Sequence, residues 1–206
     1  AGGVSNATSG AWASVLGGAA NAASGQYSGI LSGKNNVATG AYSSILSGSY
    51  GTTRGITGYQ ASPASNAPID VVAGTSQSGL LVLGVETTDA TPTVLRSDSG
   101  AADATNQYIL QNNSAGMLNI DLIGWDGTDY LTMNGINVLI VRGLGVATTT
   151  LKSSGYLNYE KSAGATAWAV ALTADVTNGG LTVTVTGAAG KTIRWVCRIL
   201  STEVSL

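Results

Sequence analysis

Histidine and phenylalanine are absent from this 206-residue chain, cysteine occurs once and proline three times. Without histidine there is no general base of the commonest kind, no usual zinc or iron ligand, and no Ser-His-Asp or Cys-His arrangement. A lone cysteine excludes an intrachain disulfide. Cys197 stands in the apolar run Ile193-Arg-Trp-Val-Cys-Arg-Ile-Leu200, where it suits a small buried hydrophobe. Charge is scarce as well: charged residues make up 10% of the chain, with a net charge of −2, against about a quarter in an average globular protein. No Lys/Arg cluster is present, so neither a nucleic acid nor an anionic membrane surface is expected as a partner. No apolar run approaches the ~20 residues of a membrane-spanning helix, and no leader or lipidation motif is legible.

What fills the chain instead is glycine, 29 residues of it, with a hydrophobic fraction of 44%. Disordered chains pair low hydrophobicity with high net charge, so this one is expected to bury a core. A surface with so little Lys and Glu is unusual for a soluble monomer, and a large self-interface relieves that tension. Association of several copies is therefore expected.

Internal repetition decides the fold class. Aligning Asn6, Asn21 and Asn36 brings three segments into a strict 15-residue register. Trp12, Tyr27 and Tyr42 then coincide, as do Val15, Ile30 and Ile45, and a degenerate fourth copy keeps Gly55 but has Thr57 in the aromatic's place. Fifteen residues fit two short strands and two tight turns, the unit of a β-solenoid or β-roll. Gly10, Gly25 and Gly40 are expected at one corner and Gly18, Gly33 and Gly48 at the other, with the asparagines in turn geometry. Stacking then yields an aromatic ladder and an aliphatic ladder. A Gly/Ser-rich linker is the competing reading of the composition, but a linker has no reason to hold an aromatic and an aliphatic in fixed register.

The expected organisation is a β-roll over residues 1–58, a linker over 59–78 that carries Pro63 and Pro68, and an antiparallel β-sandwich, jelly-roll-like, over 79–206. Strands are expected at 79–86, 107–111, 117–123, 130–133, 136–142, 167–173, 181–186 and 192–201. Asp126-Gly127 and Asn178-Gly179-Gly180 are the hairpin turns.

Little in the sequence carries chemistry. Asp121, Asp126 and Asp129 form the one carboxylate cluster worth testing for glycoside cleavage, yet turn and strand-face positions account for all three. Gly143-Leu-Gly145-Val-Ala-Thr148 lacks the Lys-Ser/Thr ending of a phosphate loop, and no calcium-loop spacing occurs. No catalytic residue, metal site or cofactor is expected. Arg194 and Arg198 share a strand face and could pair with Glu203 or Asp175 at a subunit boundary. Trp125, Tyr156 and Tyr159 lie in polar surroundings and could stack on sugars, although core positions account for them better.

The pattern Asn-x-Ala-Ser/Thr-Gly-x-Tyr-Ser-x-Ile-Leu-x-Gly, over roughly a quarter of the chain, resembles the head-domain repeat of trimeric autotransporter adhesins and related repeats in phage tail fibres. The resemblance implies a left-handed parallel β-roll, three of which pack around a threefold axis. Farther on, Thr87-Thr-Asp-Ala-Thr-Pro-Thr-Val94, Ala174-Asp-Val-Thr-Asn-Gly-Gly-Leu181 and Val185-Thr-Gly-Ala-Ala-Gly-Lys-Thr-Ile-Arg-Trp-Val196 resemble a C-terminal module of phage tail-fibre-like proteins. Both imply a homotrimeric virion structural protein, a tail fibre or its tip, in contact with other virion proteins and with host-surface glycan. A capsid decoration protein, a fragment of a bacterial trimeric surface adhesin and a capsule depolymerase are the alternatives.

Overall fold

The computed structural model describes residues 2–206 and is all-β. Six two-residue strands come first: β1 (Ala7–Thr8), β2 (Ser14–Val15), β3 (Ala22–Ala23), β4 (Gly29–Ile30), β5 (Val37–Ala38) and β6 (Ser44–Ile45). Odd and even strands pair in two separate parallel ladders, Ala7 with Ala22 and Ala22 with Val37, Ser14 with Gly29 and Gly29 with Ser44. Each partner lies one 15-residue period away, so the sequence register is the hydrogen-bond register. Between the ladders Val15, Ile30 and Ile45 are buried together with Ala23 and Ala38.

The turns divide their work differently from the expectation. Gly18, Gly33 and Gly48 do take positive φ (94°, 109° and 93°), but at the other corner the left-handed residues are Trp12, Tyr27 and Tyr42 (57°, 56° and 54°). Gly10, Gly25 and Gly40 are needed there for closeness rather than for freedom, since a Cβ would meet the next coil's carbonyl oxygen at 2.0–2.2 Å.

The fourth coil contains one extra residue. Val37 bridges Thr52, a step of 15, whereas Ser44 pairs with Gln60, a step of 16, so the insertion falls near Arg54–Gly55. Gly58, whose N–H donates to Ala41 O as Tyr42 N–H does to Gln26 O, thus stands where the aromatic was expected at Thr57.

The segment read as a linker holds structure. β7 (Gln60–Pro63) continues the β2-β4-β6 ladder and then pairs antiparallel with β8 (Ser76–Thr87), which begins inside the same 59–78 stretch. Its proline ends the strand rather than excluding it. Beyond lie β9 (Thr93–Val94), β10 (Tyr108–Ile109), β11 (Ser114–Trp125), β12 (Tyr130–Arg142), β13 (Thr150–Gly155), β14 (Asn158–Lys161), β15 (Ala169–Asp175), β16 (Gly180–Thr186) and β17 (Ile193–Ser205). One large sheet runs β13-β12-β11-β17-β8-β7-β6-β4-β2, with β14 also on β12, and a smaller sheet runs β10-β16-β15, with β9 on β16.

Asp126-Gly127 and Asn178-Gly179 turn the β11–β12 and β15–β16 hairpins. The two short strands expected at 130–133 and 136–142 are one, β12, bent by a bulge at Asn134-Gly135, with Gly135 at φ 59°. Strict alternation along β17 buries Ile193, Trp195, Cys197 and Ile199 against Val183, Val185 and Leu181 of the smaller sheet. Trp168 meets Trp195 edge-on at 5.5 Å, and Trp195 Nε1–H donates to Thr87 Oγ1 (3.0 Å). Burial pushes the Cys197 thiol up to about 12, so it is an inert core group. No helix among the described residues is long and apolar enough to cross a membrane.

Candidate functional site

Three clusters of side chains merit a functional reading, and the ladder of the repeat is the first. Trp12, Tyr27 and Tyr42 stack with centroids 4.8 Å apart and planes within 6° and 15°. Their edges are exposed, so the stack is an outer rib and the aliphatic Val15, Ile30 and Ile45 form the inner one. Asn6, Asn21 and Asn36 make a third line. Asn6 Oδ1 accepts from Asn21 N–H (3.0 Å), Asn21 Oδ1 from Asn36 N–H (3.0 Å) and Asn36 Oδ1 from Gly51 N–H (2.8 Å). Each amide also donates to carbonyls of its own and the next coil, as Asn36 does to Ser32 O and Gly48 O. Asparagine alone supplies that acceptor and those donors from one short side chain.

The second cluster joins the last coil to the C-terminal strands and is centred on Glu203. Its position on β17 has the buried parity, so the carboxylate points inward rather than toward the arginines of that strand. It receives both terminal nitrogens of Arg54, the hydroxyls of Tyr59 and Tyr108 (2.7 Å each), Gln77 Nε2 (2.9 Å) and Ser201 Oγ (2.8 Å). Burial pushes this carboxyl up, but the Arg54 guanidinium and the hydrogen-bond donors more than offset it and hold it at about 2. Tyr59 reaches the cluster because Gly79 has no side chain, since a Cβ there would lie 1.9 Å from the Tyr59 hydroxyl. Six donors on one buried carboxylate leave no lone pair for a substrate, so this is a junction, not a reaction centre.

The arginines of β17 pair on the outer face instead, Arg198 with Asp121 and Arg194 with Glu86 (3.1 Å). Asp121 also accepts from the bulge residue Gly135 N–H (2.9 Å). Asp126 and Asp129 share Lys191, at 2.7 and 3.1 Å. Lys191 and the turn's backbone N–H groups hold Asp126 at about 2, and the Ser162 hydroxyl with Lys191 lowers Asp129. Neither Asp126 nor Asp129 is poised as the protonated acid that glycoside cleavage requires. Among the described residues no group of three or more Cys, Asp or Glu could hold a metal ion.

The third cluster surrounds Trp125, an exposed side chain at the end of β11. With Asp126, Gly127, Thr192 and Arg194 it lines a shallow pocket of about 280 Å³. An aromatic face, a hydroxyl and charges of both signs on an open surface suit the C–H and O–H groups of a saccharide. Tyr156 and Tyr159 lie together, with centroids 5.7 Å apart and Lys161 Nζ 5.4 Å from the Tyr159 ring. They are separate from Trp125: Tyr159 pairs with Met133 on the inward side of β12, whereas Trp125 pairs with Tyr130 on the outward side.

No protein-family model and no curated protein matches the chain. Among the solved structures that resemble it in shape are two phage proteins at 8% sequence identity. One is the tailspike protein gp49 of Acinetobacter baumannii bacteriophage Fri1, a capsular polysaccharide depolymerase, with TM-score 0.36, 93% of this chain and 36% of that one covered. The other is the tailspike protein of Acinetobacter phage vB_ApiP_P1, with TM-score 0.24 and coverages of 97% and 54%. This chain therefore spans about a third of the first tailspike and about half of the second. At these TM-scores the likeness carries no argument about activity.

Proposed function

We propose that the chain is a structural protein of a bacteriophage virion, a homotrimeric tail fibre or fibre tip that attaches to saccharide on the host surface. The observation that carries this reading is the Trp125 pocket, an exposed aromatic beside Arg194, Asp126 and Thr192. It stands on a sheet that is continuous with the coils of the repeat. A β-roll of 15-residue coils fused to a β-sandwich supplies rigidity, and three copies of one weak saccharide site raise avidity for a repetitive surface. The carboxylates of Asp126 and Asp129, lowered and held by Lys191, favour binding over cleavage.

Binding of fluorescently labelled protein to host cells tests this reading. Trp125→Ala is expected to abolish retention on cells, and Tyr156→Ala to preserve it. Equal retention of the two variants overturns the Trp125 assignment, and release of oligosaccharides from purified capsule by the wild-type protein establishes the depolymerase alternative. Imaging of labelled protein on virions separates a tail position from the shell position of a decoration protein.

A further inference from the structure

The large sheet has two faces, and among the described residues none covers the outer one. Its residues are fixed by register: across β6, β7, β8, β17, β11 and β12, Ser44 pairs with Gln60, Gln60 with Leu80, Leu80 with Leu200, Leu200 with Asn119 and Asn119 with Asn137. One step along the strands lies a second row, in which Ser62, Ser78, Thr202, Met117 and Leu139 follow one another in the same way. Leu46, Leu31 and Leu16 extend that second row over the coils, each N–H reaching the neighbouring strand. No side chain in either row is charged.

Exposure makes this band unusual. Leu16, Leu31 and Leu46 are 64%, 52% and 52% exposed, Met117 66% and Leu200 40%. On an ordinary soluble surface such residues alternate with Lys and Glu, and large contiguous apolar patches mark interaction sites. Two ion pairs of the face stand outside the band, Arg198 with Asp121 and Arg194 with Glu86, as does Glu160 opposite Thr132, which accepts from the Tyr130 hydroxyl.

We infer that this uncharged band is the surface through which copies of the chain pack against one another, an inference that rests on the homotrimeric reading and locates its interface. Charge selects the occupant, because nucleic acid and anionic membrane need a basic surface, whereas a second copy brings a band as free of charge as the first. Eight strands at about 4.8 Å by the four residues that two rows take up, at about 3.3 Å each, give roughly 500 Å² of sheet, a little over half of the about 800 Å² per partner of a standard interface. The band also has relief on both sides of it, a hollow of about 200 Å³ among the coil leucines and one of about 410 Å³ beside Ala115, Val141 and Val204. Packing there leaves the Trp125 pocket uncovered, because the Arg198–Asp121 pair lies between Trp125 and the band.

Light scattering of the full chain and of Leu31→Lys/Leu200→Lys tests the inference, with Val176→Lys, 52% exposed in the β15–β16 turn of the smaller sheet, as the control. Expected are an assembled wild type and control, and a double variant of unchanged circular dichroism that falls to the 20.5 kDa of one chain. A double variant that stays assembled overturns the interface and leaves the homotrimer standing. A wild type of 20.5 kDa overturns both. Should the double variant misfold, thiol labelling decides, because the native Cys197 is buried. Met117→Cys is expected to resist a maleimide that modifies Val176→Cys, and equal labelling of the two overturns the inference.

Discussion

Arg54 shows how much one residue can determine. Its backbone is left-handed at φ 53°, it stands where the extra residue enters the fourth coil, and its side chain is the main counter-charge of Glu203. Removing it strands a buried carboxylate, so Arg54→Ala is expected to lower stability by about 3–5 kcal/mol at neutral pH, read by urea denaturation. The pH dependence has a defined sign. In the wild type the Glu203 carboxyl is depressed from 4.5 to about 2, so its contribution is present above pH 4.5 and is lost as pH falls toward 2. In Arg54→Ala the same burial acts without its counter-charge and raises that carboxyl, which favours the folded state at low pH. The gap between wild type and variant therefore narrows as pH falls, first above pH 4.5, where the raised carboxyl of the variant takes up its proton, and then from 4.5 to about 2, where that of the wild type does; a gap independent of pH would contradict the assignment.

At the scale of elements, the coils were legible and their cause is plain: a strict period forces like residues into line, and the line is the hydrogen-bond ladder itself. Turn dipeptides such as Asp126-Gly127 exposed the hairpins for the same reason, that few residues accept their geometry. β13 and β14 were not legible, because Thr-Leu-Lys-Ser-Ser-Gly and Asn-Tyr-Glu-Lys are edge strands, mostly exposed, with no alternation to read. β7 was hidden by Pro63. The Glu203 junction escaped because its partners are 149 residues apart, although the odd-numbered parity of β17 already marked Glu203 as inward. Of the candidate saccharide residues, sequence supplied Trp125 but not its separation from Tyr156 and Tyr159, which depends on strand parity. Position within a ladder also sets energy. Tyr27 stacks on two rings and Trp12 on one, so Tyr27→Ala is expected to cost about 1–3 kcal/mol and Trp12→Ala about half of that, as measured by thermal unfolding.

The whole molecule behaves as one body if its sheet does. Coils and C-terminal strands share backbone hydrogen bonds through β7 and share a buried ion pair through Arg54 and Glu203. Near-ultraviolet circular dichroism of the tyrosine stack and fluorescence of buried Trp168 and Trp195 are therefore expected to change at one denaturant midpoint. Two separated midpoints would mean that the coils melt independently.

The extra residue near Arg54 fixes where the length of this chain can change. Everything downstream of it is locked to the junction, whereas the three coils upstream repeat one another residue for residue in their bonds. Duplicating residues 21–35 thus adds one storey of about 4.8 Å without disturbing the junction. The molecule is in this sense a ruler with one fixed end, graduated in whole coils, and a piece of any other size would break it.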